Sequence, residues 1–139
     1  MTKLKVKGNE LDVNFTTNSS SRYATLFRNK VIFCLRKIGV NQDYIKLKEE
    51  VFPMKKAGAE VHFYLNGYNC YYSYNRQVRY VDNLQVISKL IEVEAEKLVS
   101  GKRSFEDFLT DYREDEDLVK KRKEARETLK LHESEINLE

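Results

Sequence analysis

The run Glu60-Val61-His62-Phe63-Tyr64-Leu65-Asn66-Gly67-Tyr68-Asn69-Cys70-Tyr71-Tyr72-Ser73-Tyr74 decides the fold. Two β-rich stretches flank Asn66-Gly67, and a type I′ turn needs positive φ at both central positions, which Asn and Gly adopt at least cost. The two-residue loop fixes the register. Leu65 faces Tyr68, Phe63 faces Cys70 and Val61 faces Tyr72, and this face is assigned to the core. The opposite face sets Tyr64 beside Asn69, His62 beside Tyr71 and Glu60 beside Ser73. That second face reads either as a docking surface for a peptide, a base or another domain, or as a face that a second layer of the same chain covers or on which Tyr rings lie half exposed.

Downstream, Asp82 precedes Leu84, Ile87, Leu90, Ile91, Ala95 and Leu98 at helical spacing. Asp82 and Gln85 read as a capping box, Gly101 as the stop, and Glu92, Glu94, Glu96 and Lys97 as the solvent side. This helix is expected to cover one face of the hairpin.

Upstream, Tyr23, Phe27, Val31, Cys34, Leu35 and Ile38 form the apolar stripe of a helix over about residues 22–38, capped by the serines of the loop 16–21 and closed by Gly39. Arg22, Arg28, Lys30, Arg36 and Lys37 lie mostly off that stripe. Residues 44–51 fit a strand, although Tyr44, Leu47 and Val51 also fit a helix, and the β-branched residues and the following Pro53 favour the strand. Before all of these, Leu4, Val6, Leu11, Val13 and Phe15 alternate about Gly8-Asn9 as a small hairpin or edge element. After Gly101, Ser104 caps a short helix bearing Phe105, Phe108, Leu109 and Tyr112. The cluster Glu114-Asp115-Glu116-Asp117 then opens a thinly apolar helix to about Leu131.

The expected fold class is therefore α+β. An antiparallel three-stranded sheet sits in an α-β-β-β-α core over residues 21–101, preceded by the element 1–20 and followed by a helical extension 102–139. With 139 residues the chain suits one domain plus an appendage. Apolar residues at 41% and charged residues at 34% describe a globular composition with a well-charged surface. No apolar run approaches the ~20 residues of a membrane span. The N-terminus lacks the apolar segment of a signal peptide, so a cytoplasmic location is expected. Cys34 and Cys70 sit among apolar neighbours and read as free buried thiols. With His62 and His132 they make no metal-ligand spacing, so neither metal nor cofactor is expected.

The net charge of +3 is uneven. From Met1 to Val40, eight basic residues stand against two acidic ones, whereas from Gly101 to Glu139 nine stand against twelve. The basic first helix, with Lys55 and Lys56, is the candidate phosphate-facing surface. There is no Gly-rich phosphate loop, no nucleophile elbow and no Cys–His pairing of specific spacing, which points away from an enzyme.

Two resemblances follow. The order of elements resembles double-stranded-RNA-binding domains, which place a basic run at the start of their last helix to straddle phosphates. Here Asp82 and Asn83 occupy that place. The runs 67–74 (Gly-Tyr-Asn-Cys-Tyr-Tyr-Ser-Tyr), 79–84 (Arg-Tyr-Val-Asp-Asn-Leu) and 102–108 (Lys-Arg-Ser-Phe-Glu-Asp-Phe), with Glu116-Asp117-Leu118 through Leu131, are similar to the region preceding the J domain in archaeal DnaJ-domain-containing proteins. That resemblance implies a chaperone-related accessory region ending in a stub of the J domain. The chain's one proline, Pro53, follows Phe52, so the family's His-Pro-Asp motif is absent. The function expected is a non-enzymatic protein-interaction module with a chaperone or client as partner, binding through His62, Tyr64, Tyr71, Arg76 and Arg79. The alternative is nucleic-acid binding through Arg22, Arg28, Lys30, Arg36, Lys37, Lys55 and Lys56.

Overall fold

A computed structural model describes residues 2–15, 21–49 and 57–114. Loop residues 16–20 with Ser19 and Ser20, Lys55, Lys56, Pro53 and the helix expected over 117–131 lie outside the described residues.

The chain begins with a hairpin, β1 (Thr2–Val6) and β2 (Asn9–Val13), and continues into α1 (Ser21–Lys37). A 3-10 turn at Gln42–Tyr44 leads into β3 (Ile45–Leu47), followed by β4 (Ala59–Leu65), β5 (Tyr68–Tyr74), α2 (Tyr80–Val99) and α3 (Phe105–Tyr112). The protein is α+β, with one two-stranded sheet, β1-β2, and one three-stranded antiparallel sheet, β3-β4-β5. Residues 1–20, expected as a hairpin or an edge element, contain a hairpin that forms a sheet of its own, so the strands make two sheets. The strand expected over 44–51 is shorter. Its first residue belongs to the 3-10 turn, whose Asn41 side chain accepts from the Asp43 amide at 3.0 Å.

Both hairpin turns take positive φ at their two central residues, Lys7 (50°) and Gly8 (77°), and Asn66 (51°) and Gly67 (87°). The first turn therefore sits one residue earlier than the expected Gly8-Asn9, with Val6 opposite Asn9. The second has the expected register, with Leu65, Phe63 and Val61 opposite Tyr68, Cys70 and Tyr72. Val61, Phe63, Leu65, Cys70 and Tyr74 are buried, Tyr72 is partly buried, and Tyr68 departs from expectation by standing exposed at the hairpin tip.

The core lies between that face and the helices. α2 packs on β2, β4 and β5, and α1 packs on α2. Val31, Cys34 and Leu35 of α1 and Ile38 just after it are buried, and the two cysteines are unbridged. α3 is capped as its sequence suggests, the Ser104 hydroxyl accepting from the Asp107 amide at 3.1 Å. It seats Phe108 against Phe63 and Tyr112 against Tyr72 on the same side of the sheet.

The start of α2 corrects the capping-box reading. The helix begins at Tyr80, its N-cap Arg79 makes no side-chain cap bond, and Gln85 donates instead to the Asn14 carbonyl at 2.8 Å. Tyr80 and Val81 are buried. Burying two such side chains outweighs the ~1 kcal/mol of a side-chain cap, since each is worth about 1.5–3 kcal/mol. Asp82, inside the first turn, is held by Arg79 at 2.8 and 2.9 Å. Asn83 replaces the cap as the local organiser. Its side chain donates to the carbonyls of Ala57 and Gln77, at 2.7 and 3.0 Å, and accepts from the Gln77 amide at 2.9 Å.

Glu94, expected on the solvent side, is 1% exposed. The β1–β2 hairpin covers that flank of α2, and the Asn9 side chain donates to Glu94 Oε1 at 2.5 Å. Arg103 closes the cluster from the α2–α3 turn, with Nε 2.9 Å from Glu94 Oε2 but off the N–H axis, an ion pair rather than a hydrogen bond. Arg103 also reaches Asp111, and Lys97 donates to Asn9 Oδ1.

Candidate functional site

The face of the β4–β5 hairpin turned away from α2 carries Glu60, His62, Tyr64, Asn69, Tyr71 and Ser73, as strand alternation requires once Val61, Phe63 and Leu65 point inward. No second layer formed by the described residues covers it. His62 stacks on Tyr71 with ring centroids 4.6 Å apart, and the Tyr71 hydroxyl donates to Glu60 Oε1 at 3.4 Å. His62 itself stands between two carboxylates, with Nε2 3.8 Å from Glu60 and Nδ1 3.8 Å from Glu114.

A groove of about 550 Å³ crosses this face, lined by Asp43, Tyr44, Lys46, His62, Tyr64, Asn69 and Glu114, with Phe63 and Cys70 beneath. Its two walls come from elements distant in sequence. The 3-10 turn and β3 supply Asp43, Tyr44 and Lys46, with Lys46 opposite His62. Tyr44, 57% exposed, meets Tyr64, 43% exposed, at a centroid distance of 5.7 Å and a tilt of 57°, an open aromatic corner. The other wall follows α3. Arg113 forms a β-bridge with Cys70, and the Glu114 amide donates to the Asn69 carbonyl at 2.7 Å, which carries the Glu114 carboxylate over the open face.

No family model matches the chain, and the comparisons with curated proteins and with solved structures return no match. The reading of the site therefore rests on its geometry.

Of the residues expected to bind, His62, Tyr64 and Tyr71 come together on this face, while Arg76 and Arg79 do not. Arg79 is engaged by Asp82. Arg76 lines a separate cleft of about 600 Å³ between β1 and β5, with Leu4, Lys7 and Tyr72. On α1, Lys30 pairs with Glu92 and Arg28 lies 3.7 Å from Glu49, while Arg22, Arg36 and Lys37 are exposed. Lys55 and Lys56 lie outside the described residues.

Asp43, Tyr44, Lys46 and Glu114 were missed as site residues. For Tyr44 and Lys46 a signal existed, since they stand two apart in the stretch 44–51 expected as a strand, which would set them on one face. Glu114 gave none, because its place depends on where α3 docks. The Cys70 thiol is pushed up to about 11 by burial and by the nearby Glu114 carboxylate, the reverse of an activated nucleophile. Among the described residues, no three His, Cys, Asp or Glu side chains converge as metal ligands would. No helix among them is long and apolar enough to cross a membrane.

Proposed function

We propose that this chain is a non-enzymatic protein-interaction module that takes an extended segment of a protein partner into the groove on the open face of its hairpin. The observation that carries the reading is the exposed Tyr44–Tyr64 corner beside the His62–Tyr71 stack, on a sheet face left open by the described residues. Tyr combines large rigid area with a polar tip and is enriched at interfaces for that reason. Crossing β3, β4, β5 and the Arg113–Glu114 segment covers three inter-strand steps of ~4.8 Å, or about 14 Å, which about four residues of extended chain would span. The similarity of residues 67–74, 79–84 and 102–108 to DnaJ-domain-containing proteins supports a chaperone-related setting, with this region as an accessory to a J domain.

The test is a selection of random heptapeptides against the full chain, with a Tyr44→Ser/Tyr64→Ser variant of unchanged melting temperature as the counter-selection. Peptides that bind the parent and lose the variant are expected. A selection that yields none refutes the reading.

A second reading, nucleic-acid binding with a double-stranded-RNA-binding type of core, draws on the exposed Arg22, Arg36 and Lys37 and on the α1-β3-β4-β5-α2 order. The Arg79–Asp82 pair at the start of α2 weighs against it, since a carboxylate stands where a phosphate clamp needs a free cation. Duplex RNA binding that falls steeply with salt would favour this second reading over the first.

A further inference from the structure

The groove is aromatic and acidic at once, and this combination selects a class of side chain. Among the described residues two carboxylates line it, Asp43 at one end and Glu114 at the other, against one ammonium, that of Lys46, and Glu60 stands next to the lining beside His62. Between them lies the Tyr44–Tyr64 corner, with both residues exposed. An aromatic face attracts a cation within about 6 Å of its centroid, and a carboxylate nearby adds a directional partner. The chain already uses this geometry internally, with the Lys7 ammonium 5.1 Å from the Tyr112 ring centroid and the Arg113 guanidinium 5.7 Å from that of Tyr68.

We infer that the groove recognises a basic side chain, lysine or arginine, of a partner peptide, laid over the Tyr44–Tyr64 corner with its charge between Asp43 and Glu114. An acidic peptide or a phosphate backbone meets the wrong sign of charge here. Lys46 is the residue that tempers the site, because its ammonium repels the same cation that the carboxylates attract.

This inference rests on the docking reading above, and the experiment separates the two. Groove-dependent heptapeptides from the selection are expected to carry Lys or Arg at one fixed position. Replacing that residue by citrulline or acetyl-lysine, in isothermal titration with the full chain, is expected to weaken binding by about tenfold. Glu114→Gln and Asp43→Asn are each expected to weaken it about threefold. Lys46→Ala should strengthen it by a similar factor, a gain that a merely structural role for Lys46 would not produce. Groove-dependent peptides that are neutral or acidic, or that bind citrulline as well as arginine, overturn the inference and leave the docking reading standing. A selection with no Tyr44- and Tyr64-dependent peptide removes both.

Discussion

Removing the Arg103 guanidinium should destabilise the protein far more than its position in a short surface turn suggests. Glu94 is 1% exposed, and its carboxylate has the Asn9 amide at 2.5 Å on one oxygen and Arg103 Nε at 2.9 Å from the other. Arg103→Met keeps the aliphatic stem but leaves that charge with a single neutral donor. Breaking a buried pair on one side costs about 3–5 kcal/mol. The Arg103 side chain is itself 20% exposed, so water can partly replace it, which places the cost near the lower bound, about 3 kcal/mol. At roughly 3–5 °C per kcal/mol for a chain of this size, the melting temperature should fall by about 10–15 °C. The double variant Glu94→Met/Arg103→Met, which removes both charges at similar volume, should recover about half of that loss despite disturbing the Asn9 amide. Urea denaturation followed by circular dichroism at pH 7 measures the parent, the two single variants and the double. A loss below ~1 kcal/mol for Arg103→Met, or a double variant as unstable as the sum of the singles, would refute the argument that Arg103 compensates Glu94.

Two further outcomes follow from the titrating groups. Burial alone would raise the Glu92 carboxyl, but the ammoniums of Lys30 and Lys89 outweigh it and hold the group below its ordinary 4.5. A depressed native value means the contribution is complete above 4.5 and is lost as pH falls below it. Glu92→Gln should therefore cost about 0.5–1 kcal/mol at pH 7, with the gap to the parent closing in acid; a gap that persists to pH ~3 contradicts the assignment. Cys34 and Cys70 are both buried with raised thiol values, Cys70 to about 11. Both should resist Ellman's reagent in the native protein at pH ~8 and react promptly in urea, and a fast native phase would contradict their burial.

The hairpin and its register were legible because one dipeptide sets them. Asn66-Gly67 fits one turn geometry, and every cross-strand pair from Leu65–Tyr68 to Val61–Tyr72 is then counted off by alternation. Ser104 was legible for the same local reason, since a cap is written within four residues. The start of α2 was not, because Asp82 looks like a cap to its neighbours, yet burial of Tyr80 and Val81 decides where the helix begins. Glu94 failed similarly. Its neighbours Glu92 and Glu96 remain partly or fully exposed, and no local pattern reveals that a hairpin eighty-five residues away covers only the middle one. Half of the candidate groove was readable from alternation in β4 and β5; the half made by Tyr44 and Glu114 exists only because β3 and α3 dock on opposite sides of that hairpin.

The Glu94–Arg103 cluster and the groove are mechanically one arrangement. Arg103, held by Glu94 and in turn holding Asp111, ties both ends of α3 to α2, and the Lys7 ammonium donates to the Asp111 carbonyl at 2.9 Å from the other hairpin. With α3 so placed, Phe108 and Tyr112 pack under the sheet, and the chain leaving the helix is delivered to the edge of β5, where Glu114 joins the groove. The acidic wall of the groove is thus positioned by charges on the far side of the core. A helix of eight residues has too few internal bonds to hold its place alone, so its tertiary contacts set the position of Glu114. Even under conditions where Arg103→Met remains fully folded, it should weaken binding of a basic peptide as Glu114→Gln does, by about threefold, while leaving the Tyr44–Tyr64 corner intact. Arg103→Met combined with Glu114→Gln should then weaken binding little more than either alone. Multiplicative losses in the double variant would show that Arg103 acts on the groove by some route other than Glu114.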